Sequence, residues 1–323
     1  MNKKQISVVI GSYNRFNLLR LCIDAIREEL DNFSYEIIVI DGGSIDGATE
    51  WLLQQKDIIT IIQHNRGEWQ GKPIERRSWG YFMNLGFKAA QGKYICMLSD
   101  DSLIIPGAII NGYKLFEKKI SENIKTGGIA FYFRDYPIRK EYAVAVNLGN
   151  LYVNHGLYLR EALEEVNFIS EDEYHFYFAD TDLVLKMKQK GYEFFASKDS
   201  FVEHYFEATP EIRASNNDTK KDKDRQWLID KWCGVAYPKD QKEKYTKIVG
   251  YWDHLKDDYN DQSDTVNRLI RQSKIKTTGT ITKYNALMSH LKELCSISFL
   301  MQPMKKISLY KKLISYYHSI RKV

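Results

Sequence analysis

The chain has 323 residues, 44% of them hydrophobic and 28% charged, enough apolar mass for a full core and a composition that excludes an intrinsically disordered protein. Its formal charge of +5 is unevenly placed. Leu294 to Val323 holds Lys305, Lys306, Lys311, Lys312, Arg321 and Lys322 with no acidic residue, which leaves the remainder near neutral and excludes the basic stripe of a nucleic-acid-binding fold.

The first half alternates strand and helix. ISVVIGS (6–12) is a β-branched run that stops at Gly and Ser, and Leu18, Leu19, Cys22, Ile23, Ile26 and Leu30 then recur at helical spacing. YEIIVID (35–41) is a second strand, apolar enough for burial on both faces, and ends in the glycine-rich turn DGGSIDG before a short helix, ATEWLLQQ. IITIIQH (58–64) is the third strand, 75–90 the next helix, and KYICML (93–98) the fourth strand. Pro106 fits the first residue of another helix. The spacing predicts strands near 127–133 and 142–148, helices at 160–166 and after Asp180, and strands near 192–196 and 200–204. Beyond Pro210, NNDTKKDKDR (216–225) is a charge run that reads as a solvated helix face or a loop.

A βαβα order with apolar strands predicts an α/β protein with a mostly parallel sheet covered by helices. Ligands of such sheets bind beyond the C-terminal ends of the strands. Those ends are Gly11-Ser12-Tyr13, Asp41-Gly42-Gly43 and Ser99-Asp100-Asp101, so the site is expected along that edge. GEWQGKP (67–73) imitates a phosphate-binding loop, but it has three residues between its glycines where four are needed, and Pro73 stands where Ser or Thr would hold magnesium. No G-x-G-x-x-G follows the first strand, which argues against a dinucleotide-binding dehydrogenase.

Two adjacent carboxylates, Asp100 and Asp101, at the mouth of a buried strand invite a cation. Hard divalent ions take oxygen ligands and often only one or two protein carboxylates, with phosphate oxygens completing the shell. By spacing alone, a turn that caps the following helix accounts for the pair equally well. Asp180 and Asp182 open a later helix, where Asp is by default a cap, and a following strand ends in Glu203-His204.

Four segments in order resemble the family 2 glycosyltransferases of the GT-A fold, over roughly residues 5 to 206. ISVVIGSYNR is similar to that family's first strand and nucleotide-contacting turn. IIVIDGGSIDGA resembles its V-D-D-G-S-x-D-G-T segment. MNLGFKAAQGKYICMLSDD resembles N-x-G-x-x-x-A-x-G-x-Y-I-x-x-L-D-D-D, with Ser99 in place of the first carboxylate. FADTDLVLKMKQKGYEF resembles E-D-x-D-L-x-x-R-x-x-x-x-G-Y, with Ala179 for Glu and Lys186 for Arg.

The resemblance implies a Rossmann-like nucleotide-sugar-binding domain over 1–210 and a helical C-terminal extension over 211–323. It implies that Asp41 and the turn at Ser12 and Tyr13 hold the base of a nucleoside diphosphate, with Arg77 or Arg76 as a further contact. Asp100 is expected against the ribose, Asp101 and His204 on Mn²⁺ or Mg²⁺, and Asp180 as catalytic base, with Asp182 in reserve because Ala179 alters the base's surroundings. Asn154-His155-Gly156 falls where the family lines its acceptor pocket. The implied reaction is inverting transfer from a nucleotide sugar, a UDP-sugar first, to a glycan or lipid-linked acceptor in polysaccharide or glycoconjugate assembly. A sugar-nucleotide nucleotidyltransferase is the alternative, but its glycine-rich opening loop is not matched by SVVIGSYNR; a non-catalytic scaffold is the other.

Cys22, Cys96, Cys233 and Cys295 lie far apart with no C-x-x-C pair, as expected of reduced thiols in a cytosolic protein. Ile6–Ile10 is too short for a signal peptide's apolar region and no stretch approaches a membrane span, so the chain is expected in the cytoplasm. Read as a helix, 307–322 places Ile307, Tyr310, Leu313, Ile314, Tyr317 and Ile320 on one side and Lys311, Lys312, Ser315, Ser319 and Lys322 on the other. That face suits peripheral contact with the inner membrane surface, or packing against the body or a second copy.

Overall fold

The computed structural model describes residues 4–135, 139, 141–205, 216, 218–243 and the backbone of 251–253. In chain order the first elements are β1 (Ile6–Ser12), α1 (Phe16–Leu30), β2 (Tyr35–Asp41), α2 (Ala48–Gln54) and β3 (Ile58–Ile62). There follow the hairpin β4 (Glu68–Trp69) and β5 (Lys72–Pro73), α3 (Trp79–Ala89), β6 (Tyr94–Ser99), β7 (Ser102–Ile104) and α4 (Ala108–Ser121). The second half contains β8 (Thr126–Asp135), β9 (Val144–Asn147), β10 (Asn150–Leu151), β11 (Gly156–Leu159), α5 (Arg160–Glu165), α6 (Ala179–Gln189) and β12 (Glu193–His204). Helix α7 (Asp218–Trp232) and β13 (Tyr251–Asp253) complete the described elements.

Eight strands form one sheet in the order β3-β2-β1-β6-β11-β8-β12-β7. The pairings β3-β2, β2-β1, β1-β6 and β8-β12 are parallel; β11 and β7 run against their neighbours. The sheet is therefore mostly parallel, as expected, with two reversed strands. Neither β11 nor β7 is visible in the sequence, because each is only three or four residues of ordinary apolar character.

Each central strand divides its side chains between two cores. Ile6, Val8 and Ile10 of β1 and Tyr94, Cys96 and Leu98 of β6 pack with Leu19, Ile23 and Ile26 of α1 and Ile109 and Phe116 of α4. On the other face Val9, Ile38, Ile40, Ile95 and Met97 meet Phe82, Met83 and Phe87 of α3 and the cores of α5 to α7. Burial on both faces removes the alternation that a half-exposed strand would show. At Gly86 of α3 an added Cβ would lie 2.5 Å from Ile40 and 2.6 Å from Val9, so this glycine lets the helix lie flat on the sheet.

Two expectations need correction. Pro106 is not the first helical residue: α4 begins at Ala108 behind a left-handed Gly107. Its open N–H groups are capped from α1, where the buried Glu29 accepts from Ile109 (2.6 Å), Ile110 (2.9 Å) and Gly107 (3.2 Å). The strands near 192–196 and 200–204 are one strand, β12, whose register against β8 shifts between Ser197 and Phe201. The charge run at 216–225 is, as expected, largely the solvated face of a helix, α7, with Asp224 buried within it and Leu228, Ile229 and Trp232 buried beyond it. Residues 218–243 thus pack on the body through the same core as α6. The helix expected over 307–322 lies outside the described residues. Among the described residues no helix is long and apolar enough to cross a membrane.

Candidate active site

Five parallel strands deliver their C-terminal ends to one edge: β1 at Ser12, β2 at Asp41, β6 at Ser99, β8 at Asp135 and β12 at His204. Asp100 and Asp101 follow β6 and are 2% and 3% exposed, so their charges cannot be left to water. Arg15 Nη1 lies 2.8 Å from Asp100 Oδ1 and 2.8 Å from Asp101 Oδ2 and bridges the pair. Asp100 also accepts from the Tyr13 amide at 3.2 Å, and Asp101 from Ser99 Oγ at 2.6 Å. Burial works against the charge of Asp101, but Arg15 and His204 outweigh it and hold the carboxyl well below the usual range. Asp100 moves upward, raised by burial, which Arg15 offsets only in part, and by the neighbouring Asp101.

His204 Nε2 faces Asp101 Oδ1 at 3.3 Å, while its Nδ1 is 2.7 Å from Asp135 Oδ1. The pairing of β12 with β8 sets His204 beside Asp135, and that with β7 sets it beside Ser102. Burial lowers the imidazole's proton affinity, yet the two flanking carboxylates reverse this and raise it to about 9. A carboxylate behind one ring nitrogen and a carboxylate oxygen before the other is the arrangement that orients a histidine toward a cation. Among the described residues no three His, Cys, Asp or Glu side chains make a ready cage. Two ligands, one oxygen and one imidazole nitrogen, fit a cation whose remaining shell comes from a diphosphate. His155 is 2% exposed, its ring 5.2 Å from that of His204 and edge-on to Phe133, and neither ring nitrogen has a hydrogen-bond partner among the described residues.

At the other end of the edge, Ser12 is buried with its Oγ unbonded, a polar atom available to a ligand. Asp41 is fully buried and holds its own turn: it accepts from Gly43 N (3.0 Å), Ser44 N (2.8 Å), Ser44 Oγ (2.7 Å) and Thr49 Oγ1 (2.9 Å). Gly43 has φ +87° and a Cβ there would meet His64 Nδ1 at 2.3 Å, so only glycine serves. Arg77 is not brought to this turn. It stacks on Tyr81 at 3.8 Å and lies 3.6 Å from Asp172, while Arg76 bonds Asn216 Oδ1 at 2.6 Å. The arginine over Tyr13 is Arg66, at 5.1 Å from the ring, and burial followed by the nearby Arg76 lowers it to about 10.

The two aspartates of α6 have different surroundings. Asp182 is fully buried and held by Ser170 Oγ (2.6 Å), Tyr174 OH (3.1 Å), Trp232 Nε1 (2.9 Å) and Lys231 Nζ (2.8 Å). Asp180 is half-buried, accepts from the Thr181 amide at 2.7 Å, and has no cation against it among the described residues. Burial raises its carboxyl to about 6. Burial first, and then the charges of Asp180 and Asp135, push the Tyr152 hydroxyl well up.

Residues 7–121 match the profile of glycosyl transferase family 2. That segment is similar to the glycosyl transferase family 2 domain. An uncharacterized glycosyltransferase of Rickettsia conorii is 35% identical to this chain over 121 residues, 36% of this chain and 18% of the relative. Two solved structures are similar in fold. Residues 1–349 of Staphylococcus aureus TarS, in complex with UDP-GlcNAc, superpose with a TM-score of 0.52 at 12% identity, covering 84% of this chain and 74% of that one. The mannosyltransferase PcManGT of Pyrobaculum calidifontis, in complex with GDP-Man and Mn²⁺, gives 0.50 at 16% identity, covering 89% and 81%. These likenesses establish the GT-A fold for this chain. The chain spans less than a third of the length of the curated relatives it matches.

Three residues of this edge escape a motif reading. Arg15 lies within ISVVIGSYNR, Arg66 lies between the third expected strand and the helix expected over 75–90, and Asp135 lies two residues past the strand expected near 127–133.

Proposed function

We propose that this glycosyltransferase moves a sugar from a nucleoside-diphosphate donor, a UDP-sugar first, to an acceptor hydroxyl with inversion at the anomeric carbon, in polysaccharide or glycoconjugate assembly. The observation that carries the reading is the meeting of Asp101 with His204, backed by Asp135, on the same strand edge as the unbonded Ser12 Oγ. The complexes of TarS with UDP-GlcNAc and of PcManGT with GDP-Man and Mn²⁺ support a nucleotide-sugar donor and a divalent ion. When bound at Asp101 and His204, Mn²⁺ or Mg²⁺ supplies positive charge beside the diphosphate.

The chain's own residues do the rest. Ser12, Tyr13 and the turn that Asp41 fixes hold the base, with Arg66 above Tyr13, and Asp100 holds the ribose. Asp180 takes the proton from the acceptor hydroxyl while that oxygen bonds to the anomeric carbon. The bond to the diphosphate breaks on the opposite face, with its electron pair leaving on the diphosphate. A single base suffices because no sugar–enzyme bond forms. Residues 1–210 are the catalytic body, and α7 of the 211–323 extension is packed on it.

The test is incubation with UDP-, GDP- and TDP-sugars and Mn²⁺. Release of nucleoside diphosphate, with an inverted product anomer by NMR, is expected. Release of pyrophosphate, a retained anomer, or silence with every donor would overturn it.

A further inference from the structure

We propose that Asp224, on α7 and far outside the family-matched segment, is the positioning residue that aims Asp180. The proposal rests on the reading of Asp180 as the base. Asp224 is 2% exposed, and its carboxylate accepts three successive backbone N–H groups: His175 on Oδ1 and Phe176 and Tyr177 on Oδ2, each at 2.9 Å. Three consecutive amides converging on one buried carboxylate fix a turn firmly, since each bond is charge-assisted. The chain leaves that clamp through Phe178, whose φ of +64° is a left-handed conformation that a bulky residue adopts only where its surroundings enforce it. Helix α6 starts at the next residue, and Asp180 is its second.

The same helix grips the other side of Asp180. Trp232 Nε1 donates to Asp182 Oδ1 at 2.9 Å, and Lys231 Nζ lies 2.8 Å from the same atom. Residues 175–177 before the base and Asp182 after it are therefore both tied to α7, while Asp180 itself carries no such tie among the described residues. A carboxylate that must meet a substrate hydroxyl cannot be spent on structural bonds, so its aim has to come from its neighbours. Tyr152 and Tyr158 are the titratable groups within electrostatic reach of it, and neither bonds it.

The experiment compares the full chain with Asp224→Asn, Trp232→Phe, Leu228→Ala and Asp180→Asn, reading kcat, donor KM and melting temperature. Asp224→Asn keeps the size but turns an amide toward three donors. Its kcat is expected to fall about 10- to 100-fold, the cost of misplacing a reacting group, with donor KM within about twofold. Trp232→Phe, which keeps the ring and loses the bond to Asp182, is expected to lower kcat less, and serves if Asp224→Asn does not fold. Leu228→Ala is buried on the same helix and is expected to lower the melting temperature while kcat holds. The acid limb of kcat/KM should also move in Asp224→Asn and stay put in Leu228→Ala. Parental kcat in both Asp224→Asn and Trp232→Phe, or an equal kcat loss in Leu228→Ala, overturns the positioning role. Parental activity in Asp180→Asn instead overturns the underlying assignment of the base.

Discussion

Burial raises Asp180 to about 6, and its proposed role as base turns that shift into a predicted pH dependence. A base acts only when deprotonated, so kcat/KM should be level at neutral pH and fall as the pH drops through about 6. Asp180→Asn should remove the limb along with about 10² to 10⁴ of the rate while leaving donor binding unchanged; an equal loss of donor affinity would make Asp180 structural. Asp182 cannot substitute, because four donors already hold it. Arg15 carries a second residue-scale prediction. It sits 2.8 Å from Asp101 Oδ2 and so competes with a divalent ion for that carboxylate. Mn²⁺ titrated alone, followed by loss of the free-ion EPR signal, should bind Arg15→Gln at least about tenfold tighter than the parent, a difference of about 1.4 kcal/mol. Equal or weaker binding would show that Arg15 does not oppose the ion, and Asp101→Asn should bind it poorly in either background.

Helix α4 shows how an element can depend on a residue from elsewhere in the chain. Its first turn has Gly107 in a left-handed conformation and no side-chain cap of its own, so Glu29 of α1 supplies the acceptor. Glu29→Ala should leave buried donors unsatisfied and lower stability by about 1–3 kcal/mol in denaturant unfolding. A change below about 0.5 kcal/mol would mean that water caps the helix equally well. Strand β12 shows a second dependence. Its register shift between Ser197 and Phe201 is what brings His204 level with Asp135, and a regular strand would offset the pair. The periodicity of the sequence marks two apolar runs there and cannot reveal how they are phased against β8.

At the scale of the whole molecule, a ligand that binds the native edge raises stability by mass action. UDP with Mn²⁺ at about 100 times its dissociation constant should add about 2.7 kcal/mol, which for a chain of this size is an increase of about 4 °C in melting temperature. No shift with UDP, GDP or TDP would remove the nucleotide site. The alternation of strand and helix, the burial of β1, β2 and β6 on both faces and the polar strand ends at Ser12, Asp41 and Asp100-Asp101 were all legible in the sequence, because each rests on local apolar periodicity and on turn residues. The tertiary structure alone decided the rest. It inserted β11 and β7 as reversed strands, put Arg15 between the two aspartates and Asp135 behind His204, chose Arg66 over Arg77 for the face of Tyr13, and folded α7 back onto the segment that carries Asp180. Those are contacts between residues as far as 102 positions apart, His204 against Ser102, made by register and helix packing, and a one-dimensional pattern holds no trace of either.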